Sequence, residues 1–124
     1  MTLHAILWVA SGGALGAVGR FAIGESMKVS NGFPWGTLSV NLLGALMMGL
    51  LIGWLSRQAA PLDGVRLFLA VGVLGGFTTF SAFSMDIFVL LEKRELLALS
   101  GYVGGSLLGG VVLFAAGYML VRVG

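Results

Sequence analysis

The sequence predicts an all-α integral membrane protein: four transmembrane helices, the third broken mid-membrane, assembled as an antiparallel dual-topology homodimer. Three observations lead there. Of 124 residues, 58% are hydrophobic and only 10% charged, where a water-soluble domain carries about a quarter charged. The apolar residues fall into four runs, about 3–24, 36–56, 65–91 and 96–121, within a single membrane domain spanning 1–124. The basic residues then divide almost evenly between the two faces that those runs define.

The first run has the length needed to cross a hydrocarbon core of roughly 30 Å and ends at Arg20, Glu25 and Lys28. Arg20 is expected to snorkel from its last turn. Met1-Thr2-Leu3-His4 lacks the basic region of a cleavable signal, so this run is expected to stay in the mature protein. Ser30-Asn31-Gly32-Phe33-Pro34 reads as a turn, and Trp35 after it suits the membrane interface. Gly36 to Ser56 is uncharged throughout, with Trp54 near its far end, and Arg57 to Gly64 makes a short polar connection.

The third run is too long for one simple straight crossing. Leu67 to Met85 holds no charge, yet Gly75-Gly76-Phe77-Thr78-Thr79-Phe80-Ser81-Ala82-Phe83-Ser84 interrupts it with two glycines and four hydroxyls. In a bilayer such polarity persists only where protein or a water-lined cavity satisfies it, which predicts a break near Gly75 to Thr79 and an ion or substrate path beside it. Thr79 or Ser81 would cap the restarted helix. Glu92-Lys93-Arg94-Glu95 forms a charged hairpin, and the fourth run is closed by Arg122. Four crossings put both termini on one side.

Glycines recur four apart in every run: Gly12 and Gly16, Gly49 and Gly53, Gly72 and Gly76, then Gly101, Gly105 and Gly109. That spacing lays a flat strip along a helix where another backbone can come close. Arg57, Arg66 and Arg122 fall on one side of the membrane, and Lys28, Lys93, Arg94 and the border residue Arg20 on the other. A fixed orientation normally needs a clear Lys/Arg excess on one side, so three against four predicts insertion both ways up and pairing of inverted copies.

Thr37 and Asn41 lie one turn apart on the second run, and Tyr102 and Ser106 on the fourth. Each pair is neutral and donor-bearing; singly, each reads as an interhelical hydrogen bond. Phe80 and Phe83 share a face, alternating with hydroxyls, and an aromatic ring has an electropositive edge that can face an anion. A broken membrane helix adds exposed carbonyls that suit a cation. Several classes are excluded. There is no cysteine, no phosphate loop, no HExxH motif and no membrane carboxylate pair, so an enzyme is not expected. Lys and Arg form no stripe that would bind nucleic acid.

The string from Gly75 to Ser84, with Gly36-Thr37-Leu38-Ser39-Val40-Asn41 and Arg20 after a glycine-rich first run, resembles the Fluc (CrcB) fluoride channels. The resemblance covers essentially the whole chain in length, number of crossings and motif order. It implies a multi-pass protein of the inner cell membrane, a dual-topology dimer with two pores that let F⁻ leave the cytoplasm passively and so confer fluoride resistance. By the same resemblance Phe80 and Phe83 supply ring edges, Asn41 is the pore donor, and Thr37, Ser81, Tyr102 and Ser106 line the pore. Backbone carbonyls of Gly75 and Thr78 would hold a structural Na⁺ on the dimer axis, and Arg20 would sit near a vestibule. Gly110, Ala82 and Met85 stand where some members carry hydroxyls. Fluoride is a strongly hydrated ion, and neutral donors in a narrow space are what replaces its water without trapping it. The competing class, a dual-topology small multidrug exchanger, needs a mid-membrane carboxylate in the first run, and Leu3 to Gly24 has none.

Overall fold

Thr2 starts the first helix: its hydroxyl accepts from the Ala5 N–H at 3.1 Å, satisfying one of the donors that a helix start leaves open. In the computed structural model, which describes residues 1–29 and 32–123, helix α1 then runs Leu3–Ser26 and α2 runs Trp35–Ser56. Of the expected turn, Ser30 and Asn31 lie outside the described residues, and Gly32 takes a positive φ of 78°. The third crossing, Asp63–Glu92, is composite. A single turn, α3 (Asp63–Val65), leads into a π-helical stretch Arg66–Leu74, followed by α4 (Gly75–Phe77) and, after an interruption, α5 (Ser81–Glu92). Helix α6, Leu96–Val123, closes the chain. Among the described residues all regular structure is helical, and four helices are long and apolar enough to cross a membrane.

The break falls slightly later than the glycines suggest. Gly75 keeps helical angles (φ −63°, ψ −39°), and the chain becomes extended only at Thr78 (φ −86°, ψ 157°). Glycine permits a break without forcing one; here the forcing groups are side-chain partners of Thr78 and Thr79, described below. The π-helical stretch has no counterpart in the sequence pattern. It lies against α1, whose glycines leave room for the wider turn: a Cβ on Gly12 would strike the Phe68 carbonyl, and one on Gly16 the Val73 carbonyl.

The helices associate as α1 with the third crossing and α2 with α6, while α5 also rests on α6. The second pairing is equally close. A methyl on Gly49 would meet the Phe114 carbonyl, and methyls on Gly53 and Gly117 would come within 2.7 Å of the Tyr118 and Leu46 carbonyls. Three of the four glycine strips are therefore backbone contacts within the chain. On α6 the strip meets only a side chain: a Cβ at Gly109 would come within 3.0 Å of Leu42 Cδ2, and nothing lies within 4 Å of one at Gly101 or Gly105. Around Tyr102, Phe83 and Leu90 a small core forms, with Phe33 packed against it. At the hairpin Arg94 adopts φ 55° and the Glu95 N–H returns to the Leu90 carbonyl at 3.0 Å, closing the end of α5.

Candidate ion pathway

The interruption is built by three groups that reach across from other elements or from within it. Asn41 on α2 donates Nδ2 to the Thr79 carbonyl at 3.1 Å and accepts the Thr79 N–H on Oδ1 at 2.9 Å. Three residues further along α2, Gly44 leaves the space that the Thr78 methyl fills. Thr78 ends the preceding helix by placing both its N–H (3.0 Å) and its hydroxyl (2.9 Å) on the Leu74 carbonyl. Thr79 begins the next one, its Oγ1 accepting from the Ala82 N–H at 3.1 Å. Of the two expected caps, Thr79 is the one used; Ser81 is exposed, with its hydroxyl 3.3 Å from that of Thr79.

Arg20 is turned inward. Its Nε donates to the Gly76 carbonyl at 3.1 Å, so the side chain is half-buried against the break and does not snorkel to the surface. It lines a cavity of about 300 Å³ together with Glu25, Lys28, Thr37, Thr79 and Asp86. Two cationic and two acidic side chains thus share this space, and Lys28 pairs with Glu25 at 2.8 Å.

A second cavity, about 360 Å³, lies beyond Thr79, which lines both. Its polar lining comes from Asn41, Thr78, Thr79 and Ser106, its aromatic lining from Phe80, Phe83 and Phe114, and no charged residue takes part. The Ser106 hydroxyl oxygen is buried and has no hydrogen-bond partner among the described residues. Phe80 and Phe83 stand 6.2 Å apart at 48° but differ in setting: Phe83 is 8% exposed and Phe80 80% exposed, at the open edge of the cavity.

Tyr102 lines neither cavity. It is fully buried, its ring 5.2 Å from Phe83 at a 46° tilt and edge-on 5.8 Å from Phe33, and it donates its hydroxyl to Asp86 at 2.9 Å. Thr37 lies beside the same phenol. In the sequence Asp86 is an isolated charge near the end of the third run. The available signal was its spacing, three residues after Phe83, which puts the carboxylate beside that ring on one helix.

Two carbonyls at the break lose the donors of a continuous helix, because the Thr79 and Ala82 N–H groups that would serve Gly75 and Thr78 are engaged by side chains. Gly75 is exposed and Thr78 half-buried. Uncharged carbonyl oxygens at an unwound membrane helix are the donor set that an alkali cation takes, so these two residues fit the expected Na⁺.

A family model described as CrcB-like protein, Camphor Resistance (CrcB), matches residues 7–118, nearly the whole chain. The chain belongs to the CrcB-like family. It is 44% identical over 122 residues to a Sphingopyxis alaskensis protein named Fluoride-specific ion channel FluC, covering 97% of each chain. Proteins of the same name from Hyphomonas neptunium (46% identical over 123 residues, 97% of each chain) and Novosphingobium aromaticivorans (43% over 124, 97% of this chain and 98% of the relative) are similar along their full length. With four membrane-length helices, this CrcB-like chain is a multi-pass membrane protein.

Proposed function

We propose that the chain is a fluoride-specific ion channel, carrying F⁻ passively out of the cytoplasm across the inner cell membrane. The observation that carries this reading is the second cavity, where donors without charge (Asn41, Thr79 and the unpartnered Ser106 hydroxyl) sit beside the rings of Phe80 and Phe83. Fluoride gives up its water only to several short, well-aligned donors, and a strong fixed positive charge there would hold it. Arg20 and Lys28 are set back in the first cavity, where Glu25 and Asp86 offset them; that cavity serves as the vestibule. Thr37 lines that vestibule, and Tyr102 stands behind it in the core, the phenol held in place by Asp86. Ser81, exposed beside Thr79, meets the pathway from its outer edge.

The channel works as an antiparallel homodimer with two pores. Phe80, 80% exposed beside the break, is a surface that a second copy would cover, and the balanced basic residues allow that copy to be inverted. Na⁺ on the two-fold axis, held by the Gly75 and Thr78 carbonyls of each copy, would supply fixed positive charge between the two halves. Nothing in this design requires catalysis; the protein is not an enzyme.

Phe80→Ile and Asn41→Asp test the pathway. Fluoride efflux from liposomes, read with a fluoride electrode, should fall by an order of magnitude or more in each while the protein still elutes as an assembled dimer. Undiminished efflux in both would reduce the two residues to packing.

A further inference from the structure

A continuous helix would send the Thr79 N–H to the Gly75 carbonyl and the Ala82 N–H to the Thr78 carbonyl. Instead the first goes to Asn41 Oδ1 at 2.9 Å and the second to Thr79 Oγ1 at 3.1 Å. The Asn41 amide returns a bond to the Thr79 carbonyl at 3.1 Å, so it exchanges two hydrogen bonds with one residue, as a paired strand would. Nearby carbonyls are otherwise taken: that of Leu74 by Thr78, that of Gly76 by Arg20. The N–H groups that a continuous helix would give the carbonyls of Gly75 and Thr78 are thus held by two side chains.

We propose that Asn41 and Thr79 are positioning residues for the cation: the Asn41 amide and the Thr79 hydroxyl hold the break open and so keep the Gly75 and Thr78 carbonyls available to Na⁺. The identity of the ion rests on the reading above; the diversion of the two N–H groups rests on the hydrogen bonds alone. Asn41 then has its acceptor and one of its two N–H hydrogens committed to backbone, with the other left for the cavity that it lines. A single amide on α2 thereby ties the anion cavity to the cation carbonyls, and losing it alters both.

Thermal unfolding of the full-length protein in Na⁺ against N-methylglucamine, together with amide hydrogen exchange at Thr79 and Ala82, tests this. Na⁺ should raise the wild-type Tm. Asn41→Leu and Thr79→Val should each need about tenfold more Na⁺ for the same rise, the scale of one lost hydrogen bond, and expose the Thr79 and Ala82 amides respectively to faster exchange. Thr79→Ser keeps the hydroxyl and should restore the wild-type response. Asn41→Asp keeps the acceptor for the Thr79 N–H and should retain most of the Na⁺ response even though its added charge stops fluoride; a role confined to the pore predicts no change in Na⁺ response for any of these variants. An undiminished Na⁺ response in both Asn41→Leu and Thr79→Val overturns the proposal. If the wild type itself ignores Na⁺, the cation reading fails, and the exchange rates still decide the clamp: unchanged protection of both amides overturns it too. Should Asn41→Leu fail to fold, the Thr79→Val and Thr79→Ser pair gives the answer.

Discussion

Tyr102 is the most enclosed large side chain among the described residues, with ring partners on two sides and a carboxylate on its hydroxyl. A buried phenol that loses its acceptor costs about 1–3 kcal/mol, more than the bond itself contributes. Asp86→Leu should therefore destabilise the protein by about that amount, whereas Asp86→Asn, which still offers a side-chain oxygen to Tyr102, should stay within about 1 kcal/mol of wild type. Equilibrium unfolding in detergent measures the difference; equal stability of the two variants would mean that Asp86 does not anchor the phenol. Among single residues, those that reach across the fold were the hardest to read from sequence. Asn41 and Thr79 are 38 positions apart, and Arg20 and Gly76 are 56 apart, so their bonds leave no local pattern. Their chemistry was legible all the same, since a lone amide in an apolar run needs partners wherever they come from.

At the level of helices, the glycines sort into two kinds that substitution should separate. On Gly16 a methyl group would collide with the backbone of Val73, and backbone cannot rotate away as a side-chain tip can. Gly16→Ala should cost about 1–3 kcal/mol or more from overpacking, while Gly101→Ala, with open space around it, should be neutral or gain up to about 1 kcal/mol from helix propensity. Thermal unfolding of the two variants under one condition checks this; a Gly16→Ala protein as stable as wild type would mean that α1 and the π-helical stretch pack less closely. The four-residue spacing identified the strips, since it is a local feature of each helix, but it could not say which strips meet a neighbour in the same chain. Nor could hydropathy reveal the π-helical stretch, because apolar residues fill Arg66–Leu74 on all sides except its first position and leave no periodicity to distinguish the two kinds of helix. The break was legible from its polarity, its position only approximately, because the groups that fix it lie on α2.

For the whole molecule, the balance of basic residues, three against four, makes orientation the property to measure. A reporter fused to the C-terminus should be found on both sides of the membrane in comparable amounts, and adding two or three lysines to one loop should drive it to a single side; a reporter confined to one side in the unmodified protein would contradict the inverted pairing. Both cavities, the break and the aromatic face converge on one claim, that neutral donors and aromatic rings strip and pass a single small anion. The most direct measurement is paired efflux of F⁻ and Cl⁻ from liposomes holding the purified protein. Rapid loss of fluoride with chloride retained is the predicted result, and chloride leaving at a comparable rate would contradict the account.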